Sequence, residues 1–375
     1  MKYITAAILT AALFLSFTVP GYGATEGPSV SAQSAIVMEA DSGQVLWEKH
    51  PDERMLIAST TKIMTALVVI ERCDLDQVVT VDAAWTGIEG SSMYLTPGQE
   101  LTVRDLLLGL MLASGNDAAV ALACITAGSV EDFAALMNEK AEDLGCENTH
   151  FINPNGLDDP EHYSTAHDLA IMTREAISHE AFCQIVSSQS ATVGNNSYTN
   201  HNRLLRECPG VFGVKTGYTM AAGRTLVSCC ERDGLTLICV TLSDPDDWDD
   251  HTALYDWAYG AYTNTNVLPD ETWPVPVIGG VTDTVLLAPE GELPILRHVE
   301  DEVSVKYIVP TFVYAEVAVG EAAGEAVAYI NGEEAGRAPL VFTQNVARAE
   351  QVEPTFLERV KTLFGWAEGN IYTLP

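Results

Sequence analysis

Three short polar clusters interrupt apolar segments of this 375-residue chain, and each brings together groups able to do chemistry: Ser59-Thr60-Thr61-Lys62, Ser114-Gly115-Asn116 and Lys215-Thr216-Gly217. In the first, Ile63 to Ile70 are apolar almost all round, which predicts a buried helix from Ser59 to Arg72 with Ser59 in its first turn. Residues three apart on a helix lie about one turn apart, so the Lys62 amine can reach the Ser59 hydroxyl. An amine held against apolar surroundings is disfavoured as a cation, and in its neutral form it can take the proton of a serine. That is the chemistry of an activated serine nucleophile. Taken alone, the same four residues also fit a serine helix cap beside a lysine whose head reaches out to water.

The second cluster joins Leu106 to Ala113 and Ala118 to Ile125, two apolar segments of helical length, which predicts an interior loop. Polar groups in a buried connection need partners, and a serine with an amide can relay a proton, orient Lys62 and hold a substrate amide. The alternative for this stretch alone is a helix–helix turn with Asp117 capping the second helix. The third cluster follows Val211 to Val214 and precedes Tyr218-Thr219, an extended pattern. A strand from Thr225 to Cys230, an Asp233-Gly234 hairpin turn and a strand from Leu235 to Leu242 complete an antiparallel meander. If its first strand edges the cleft, Lys215 and Thr216 can bind a peptide's terminal carboxylate, and Gly217 allows close backbone approach. An exposed strand end is the plainer reading of Lys-Thr-Gly by itself.

With their flanks, namely Ala58 to Ala66, Gly90 to Met93, Ser114 to Ala119, Asn153-Pro154-Asn155-Gly156-Leu157 and Lys215 to Thr219 with Ala222-Gly223, the ordered clusters resemble the penicillin-recognising serine enzymes. Within them the chain is similar to the D-alanyl-D-alanine carboxypeptidases, low-molecular-weight penicillin-binding proteins, over roughly residues 30 to 345. The resemblance implies an α/β (α+β) fold, with a β-lactamase/transpeptidase-like antiparallel sheet and helical cluster and a small C-terminal β-sandwich. It implies catalysis by Ser59, Lys62, Ser114 and Asn116, substrate binding by Lys215, Thr216, Gly217 and Tyr218, and an oxyanion hole from the N–H groups of Ser59 and Tyr218. The implied reaction removes the terminal D-alanine from peptidoglycan stem peptides through an acyl-enzyme, with β-lactam antibiotics as inhibitors. A D,D-endopeptidase acting on cross-links shares all three clusters. A class A β-lactamase has S-D-N where this chain has Ser114-Gly115-Asn116, and no E-x-x-x-N loop is found. An inactive cell-wall binding protein is the non-enzyme alternative. Asp168 matches a family aspartate, although Thr165 to Asp168 also reads as a helix N-cap pair. His201 stands where some relatives carry an arginine.

The elements around these clusters divide the chain. Lys2 precedes an uncharged apolar run from Ile4 to Val19, then small residues suited to cleavage after Gly23 or Ala24, so residues 1–24 read as a signal peptide and the protein as exported to the outer face of the cytoplasmic membrane or the cell wall. Residues 30–262 hold the chemistry, opening on a hairpin (Ala35 to Met38, Val45 to Glu48) and closing on a helix around Thr252 to Ala261. Leu268 to Pro276 reads as a linker. Residues 275–346 read as the β-sandwich, with strands at Thr284 to Leu287, Val303 to Val309 and Val327 to Ile330. In residues 354–368, Phe356, Leu357, Val360, Leu363 and Phe364 form one apolar helical face, suited to a membrane interface or to packing on the β domain.

A formal net charge of −33 excludes a nucleic-acid partner and fits a solubilising surface. His162, His167 and His201 show no metal-ligand spacing, and neither a metal nor a cofactor is expected. The eight cysteines lack framework spacing and several sit in apolar segments, which points to mostly buried free thiols.

Overall fold

The structure is a computed structural model that describes residues 27–350 and Phe356. The signal-peptide stretch and, apart from Phe356, the amphipathic 354–368 stretch lie outside the described residues. The chain divides into two compact units, Met1–Gly260 and Ala261–Pro375.

The first unit is built on a five-stranded antiparallel sheet of β1 (Ser34–Glu39), β2 (Val45–Lys49), β3 (Val211–Thr219), β4 (Gly223–Arg232) and β5 (Leu235–Leu242), in the order β2-β1-β5-β4-β3. Two of its hairpins form where the sequence places turn residues. Gly43 at φ +76 closes the first, and Asp233 (φ +51) with Gly234 (φ +75) closes the β4–β5 connection, both in the left-handed region that a tight hairpin requires. β1, β5 and the Thr225 to Cys230 part of β4 are almost wholly buried because both faces of the sheet are covered, so these strands do not show a simple apolar–polar alternation.

On one face pack α1 (Lys62–Arg72), α2 (Val103–Leu112), α3 (Asn116–Ala127), α4 (Val130–Asp143), α5 (Ala166–Ile177) and α6 (Glu180–Val186). α1 is the central helix, and every residue from Lys62 to Val69 is buried. Three of its neighbours start at side-chain caps. Thr102 and Asp105 form a reciprocal capping box on α2, Ser129 caps α4, and Thr165 accepts from the Asp168 N–H at the head of α5. The Asp168 carboxylate accepts from Asn148 N (2.9 Å) and Thr149 Oγ1 (2.7 Å), so this aspartate ties down the chain ahead of α5. After the short α7 (Leu204–Glu207), the closing helix α8 (Asp247–Ala261) lies on the opposite face. There Ser228 Oγ meets His251 Nδ1 (2.7 Å) and Tyr255 Oη (2.7 Å), while Thr241 Oγ1 meets His251 Nε2 (3.1 Å). The alternation of β4 splits its cysteine pair: Cys229 joins the helix-side core, and the Cys230 thiol turns to the Pro209 carbonyl. All eight cysteines are free thiols, five of them buried.

The second unit holds a six-stranded sheet and a two-stranded sheet. The hairpin Ala322–Ile330 and Glu333–Phe342 turns at Asn331-Gly332. Here one expectation is corrected: the proline-bearing stretch taken as a linker contains a strand, Trp273–Ile278. Val275 and Val277 point into the core while Pro274 and Pro276 face out, and the strand's neighbour on its far side pairs only with Val277 and Ile278. Prolines are tolerated there because that part of the strand is an edge. A second strand of the stretch ahead of it, Tyr262–Asn266, pairs with Pro294–His298.

The buried histidines give the first unit an acid sensitivity. Burial holds His162 down at about 4 and His251 at about 3, both from 6.5. Between those values and 6.5 the unfolded chain binds protons that the folded one refuses, so stability falls as the pH drops through this window. Each histidine adds a slope of at most about 1.4 kcal/mol per pH unit. Denaturant midpoints measured from pH 8 to 5 are expected to decline, and His162→Gln should remove its share of the slope.

Candidate active site

Ser59 sits in a single 3-10 turn, Ala58–Thr61, which runs into α1 at Lys62, so the nucleophile stands just ahead of the α-helix rather than within its first turn. The tighter turn leaves Ser59 half-exposed at the base of a cleft of about 290 Å³, while Thr60, Thr61 and Lys62 are buried. Both local and long-range bonds hold this turn. Thr225 Oγ1 on β4 donates to the Ile57 carbonyl (3.1 Å), and Thr61 Oγ1 donates to the Ala58 carbonyl (2.8 Å). His162 completes the set. Its Nδ1 accepts from the Ile152 N–H (3.0 Å), so the ring proton is on Nε2, which donates to Thr61 Oγ1 (2.8 Å).

Lys62 is fully buried, and its Nζ lies 3.0 Å from Ser59 Oγ, 2.8 Å from Asn116 Oδ1 and 2.5 Å from the Asn155 carbonyl oxygen. Burial lowers its pKa well below 10.5, the Lys215 charge lowers it further, and Asp117 opposes them. The partners then define the neutral state. Two of the three are acceptors only, so they take the two protons of a neutral amine, and the lone pair faces Ser59 Oγ. That is the arrangement in which the serine donates its proton to nitrogen.

Asn116 is positioned from both ends. Its Nδ2 donates to the Glu89 carbonyl (2.6 Å), and its N–H donates to the Ser91 carbonyl (2.7 Å). Asp117 lies inside the first turn of α3, where its carboxylate accepts from the Ala118 N–H (2.9 Å). Its buried carboxylate accepts from Ser92 Oγ (2.6 Å), Met93 N (2.9 Å) and Leu95 N (3.0 Å), which fastens the Ser91 to Leu95 wall of the cleft. Ser114, at φ +56, lines the cleft without a hydrogen bond to Lys62, whose three positions are already taken.

Across the cleft, β3 is the edge of the sheet, so one side of its backbone is left unpaired by strands. Thr216, Gly217 and Tyr218 line the cleft. A side chain at Gly217 has no room: a Cβ there would fall 2.9 Å from the Ser59 nitrogen and 2.3 Å from Thr225 Oγ1. Lys215 is buried, its Nζ donates to the Thr216 carbonyl (2.8 Å), and burial brings its pKa down to about 7. His201 also lines the cleft, its pKa lowered by desolvation and by Lys215. Asn202 Nδ2 donates to the Gly213 carbonyl (2.9 Å) and fixes the approach to β3.

The structure thus gathers the other seven residues named from the sequence around Ser59. Two further contributors are less visible in the sequence. The Asn155 contribution is a main-chain carbonyl, which any residue type could supply. Gly156, at φ +85, packs so closely that a Cβ would lie 1.9 Å from the Ala58 oxygen. The only signal for them is the run Asn153 to Leu157, quoted above for its likeness and not for a role. Among the described residues, the one set of side chains that could surround a cation, Glu71, Glu175 and His179, already holds Lys140, 2.6 Å from Glu71. No residue of the cleft belongs to it.

Comparison with known proteins gives a consistent picture. The profile of the D-alanyl-D-alanine carboxypeptidase family matches residues 22–246. The chain is 36% identical over 280 residues to the D-alanyl-D-alanine carboxypeptidase DacF of Bacillus subtilis, covering 70% of this chain and 72% of that protein. It is 35% identical to DacC of Escherichia coli, over 86% of each. Among solved structures, penicillin binding protein 5 from Haemophilus influenzae superposes with a TM-score of 0.67 at 29% identity, over 86% of this chain and 99% of that one.

Proposed function

Since the chain belongs to the D-alanyl-D-alanine carboxypeptidase family, we propose that Ser59 attacks the carbonyl between the two terminal D-alanines of a peptidoglycan stem peptide. The protein is a serine D-alanyl-D-alanine carboxypeptidase of cell-wall metabolism. The observation that carries the assignment of the nucleophile is the Lys62 amine, buried, low in pKa and held by two carbonyl acceptors with its third position at Ser59 Oγ. Lys62 takes the serine proton as Oγ bonds to the carbonyl carbon. The N–H groups of Ser59 and Tyr218 receive the oxyanion, and Gly217 lets the edge strand come close enough for this. Ser114 passes the proton to the leaving nitrogen and D-alanine departs. Water then attacks the ester, with Lys62 again accepting a proton. Lys215 and Thr216 hold the terminal carboxylate, and Asn116 orients Lys62 and the substrate amide. A β-lactam offers a strained amide and a carboxylate to the same groups, which makes it an inhibitor.

Incubating the purified chain with penicillin and with a peptide ending in D-Ala-D-Ala tests this directly. One adduct, on the peptide containing Ser59, together with release of one D-alanine per substrate, is expected. An adduct on another residue overturns the assignment. Running monomeric and cross-linked muropeptides side by side separates carboxypeptidase from endopeptidase action, and faster turnover of monomers is expected.

The same reading places the enzyme outside the cytoplasm. Residues 1–24 direct export, and the apolar face of residues 354–368 lies against the membrane interface. Deleting residues 354–375 should move the enzyme from the membrane to the soluble fraction with turnover of small peptides unchanged. Full-length mature protein that is already soluble refutes the anchor.

A further inference from the structure

Away from the cleft, two of the eight free thiols meet at the start of the edge strand. Cys208 lies in the turn that leads into β3, and Cys230 lies on β4 opposite Val211, the first residue of β3. Gly210, at φ +87, brings this turn down onto β4. Its carbonyl accepts from the Glu231 N–H (3.0 Å), and a Cβ there would fall 2.5 Å from the Glu231 oxygen and 3.1 Å from the Cys230 sulfur. The Cys230 thiol is thereby within reach of both the Pro209 carbonyl (3.5 Å) and the Cys208 sulfur, to which it hydrogen-bonds. Arg232 is fastened beside them. Its Nε donates to the Pro209 carbonyl (3.1 Å), Nη1 to Asp256 (3.0 Å) and Nη2 to the Cys208 sulfur (3.4 Å), with the guanidinium over the Tyr259 ring. A sulfur that accepts from a thiol and from a fixed cation is favoured as the thiolate, so the Cys208 pKa falls below its ordinary 9.0, whereas that of Cys230 is raised. Burial pushes the thiols of Cys124, Cys146, Cys183, Cys229 and Cys239 up instead.

We propose that Cys208 and Cys230 are a redox-active pair, which an external disulfide converts into a disulfide bond that ties the start of β3 to β4. Cys208 is the residue that meets the oxidant. It is 4% exposed and its contact Arg232 is 25% exposed, so this sulfur lies just under the surface, whereas Cys230 is wholly buried. The Cys208 thiolate attacks one sulfur of the external disulfide, and the other sulfur leaves as a thiolate. Cys230 then gives its proton to that thiolate, attacks the Cys208 sulfur of the mixed disulfide and expels the second external thiolate. The pair loses two electrons and two protons, and the external disulfide is reduced to two thiols. The bond falls where the sheet is least secured. β3 is an edge strand held by β4 alone, and its register shifts between Val211 and Gly213, directly beside the pair. A covalent tie there closes the β3–β4 hairpin and restricts the unfolded chain.

The test takes the full mature chain, fully reduced, and exposes it to oxidised glutathione in the folded state. Remaining thiols are then alkylated, and the peptides are mapped without reduction. One bridge, Cys208–Cys230, is expected, with the other six cysteines alkylated. The oxidised protein should melt about 5–10 °C above the reduced one, the shift expected for a strain-free bond across a hairpin-sized loop. Acylation by penicillin at room temperature should be unchanged, since neither sulfur lines the cleft. Cys208→Ser and Cys230→Ser should each abolish the bridge and the oxidation-dependent shift. Cys230→Ser should stop at a glutathione adduct on Cys208, whereas Cys208→Ser should acquire no adduct. All eight thiols alkylated after oxidation, a bridge between any other pair, or an unaltered chain that stops at the glutathione adduct overturns the proposal. A Cys208–Cys230 bridge that leaves the melting temperature where it was overturns the tie between β3 and β4. Mapping the unaltered chain decides the pairing even if a serine variant fails to fold.

Discussion

Replacing Ser59 by alanine is expected to abolish D-alanine release and penicillin labelling together, with activity down by at least about three orders of magnitude, as for other acyl-transfer nucleophiles. Two other serines, Ser91 and Ser114, line the same cleft, so the loss is informative. Neither is hydrogen-bonded to the Lys62 amine, whose one position not taken by a carbonyl oxygen faces Ser59. The fold should survive, because the turn is held by Thr60, Thr61 and Thr225 rather than by the Ser59 hydroxyl. Labelling that persists in Ser59→Ala would move the acyl-enzyme to a neighbouring serine and overturn the mechanism.

For Lys62→Ala we expect acylation by penicillin to slow by at least about two orders of magnitude, the usual range for a lost general base. Lys62→Arg should not rescue it, since a guanidinium does not give up its proton. The pH profile carries the sign. Lys62 acts as a base only when neutral, so in the unaltered enzyme acylation should rise with pH as the amine loses its proton and then level off. Burial moves this rise far below the ordinary lysine range. Lys62→Ala should lack that limb. Near-normal acylation at neutral pH in the variant would show that the lysine is structural.

How much of this was readable before the structure depends on which atoms do the work. Side chains with distinctive chemistry at short spacing were visible: Ser59 with Lys62 one turn apart, and Lys215-Thr216-Gly217 on a strand flanked by its own meander. The Asp233-Gly234 turn and the β5 strand from Leu235 to Leu242 were visible for the same local reason. The Asn155 carbonyl was not, because a backbone acceptor leaves no mark on residue type. A helix cap is the alternative that local spacing offers for Asp117, and its carboxylate does accept from the Ala118 N–H, but its other partners are some twenty residues upstream, and local spacing cannot report contacts made by folding. His162 was noted only as lacking metal spacing, whereas it braces Thr61 from about a hundred residues away. The prolines near residue 275 suggest a linker because they forbid a central strand, and only the pairing register, in which the far neighbour meets Val277 and Ile278 alone, shows that they lie on an open edge.

The two buried lysines also bear on how this protein evolves. Lys215 descends from 10.5 to about 7 on folding. Since the unfolded chain is protonated between those values and the folded one is not, folding is opposed by roughly 4 kcal/mol at neutral pH, an opposition that fades as the pH rises towards 10.5. Lys62 adds to it in the same direction. That is comparable with the whole margin of a typical domain, about 5–15 kcal/mol. A drift toward methionine at either position would give a sturdier and catalytically dead protein, so only selection for turnover keeps these amines in the core. The extensive apolar packing around α1 is then the reserve that lets a site so unfavourable to folding persist.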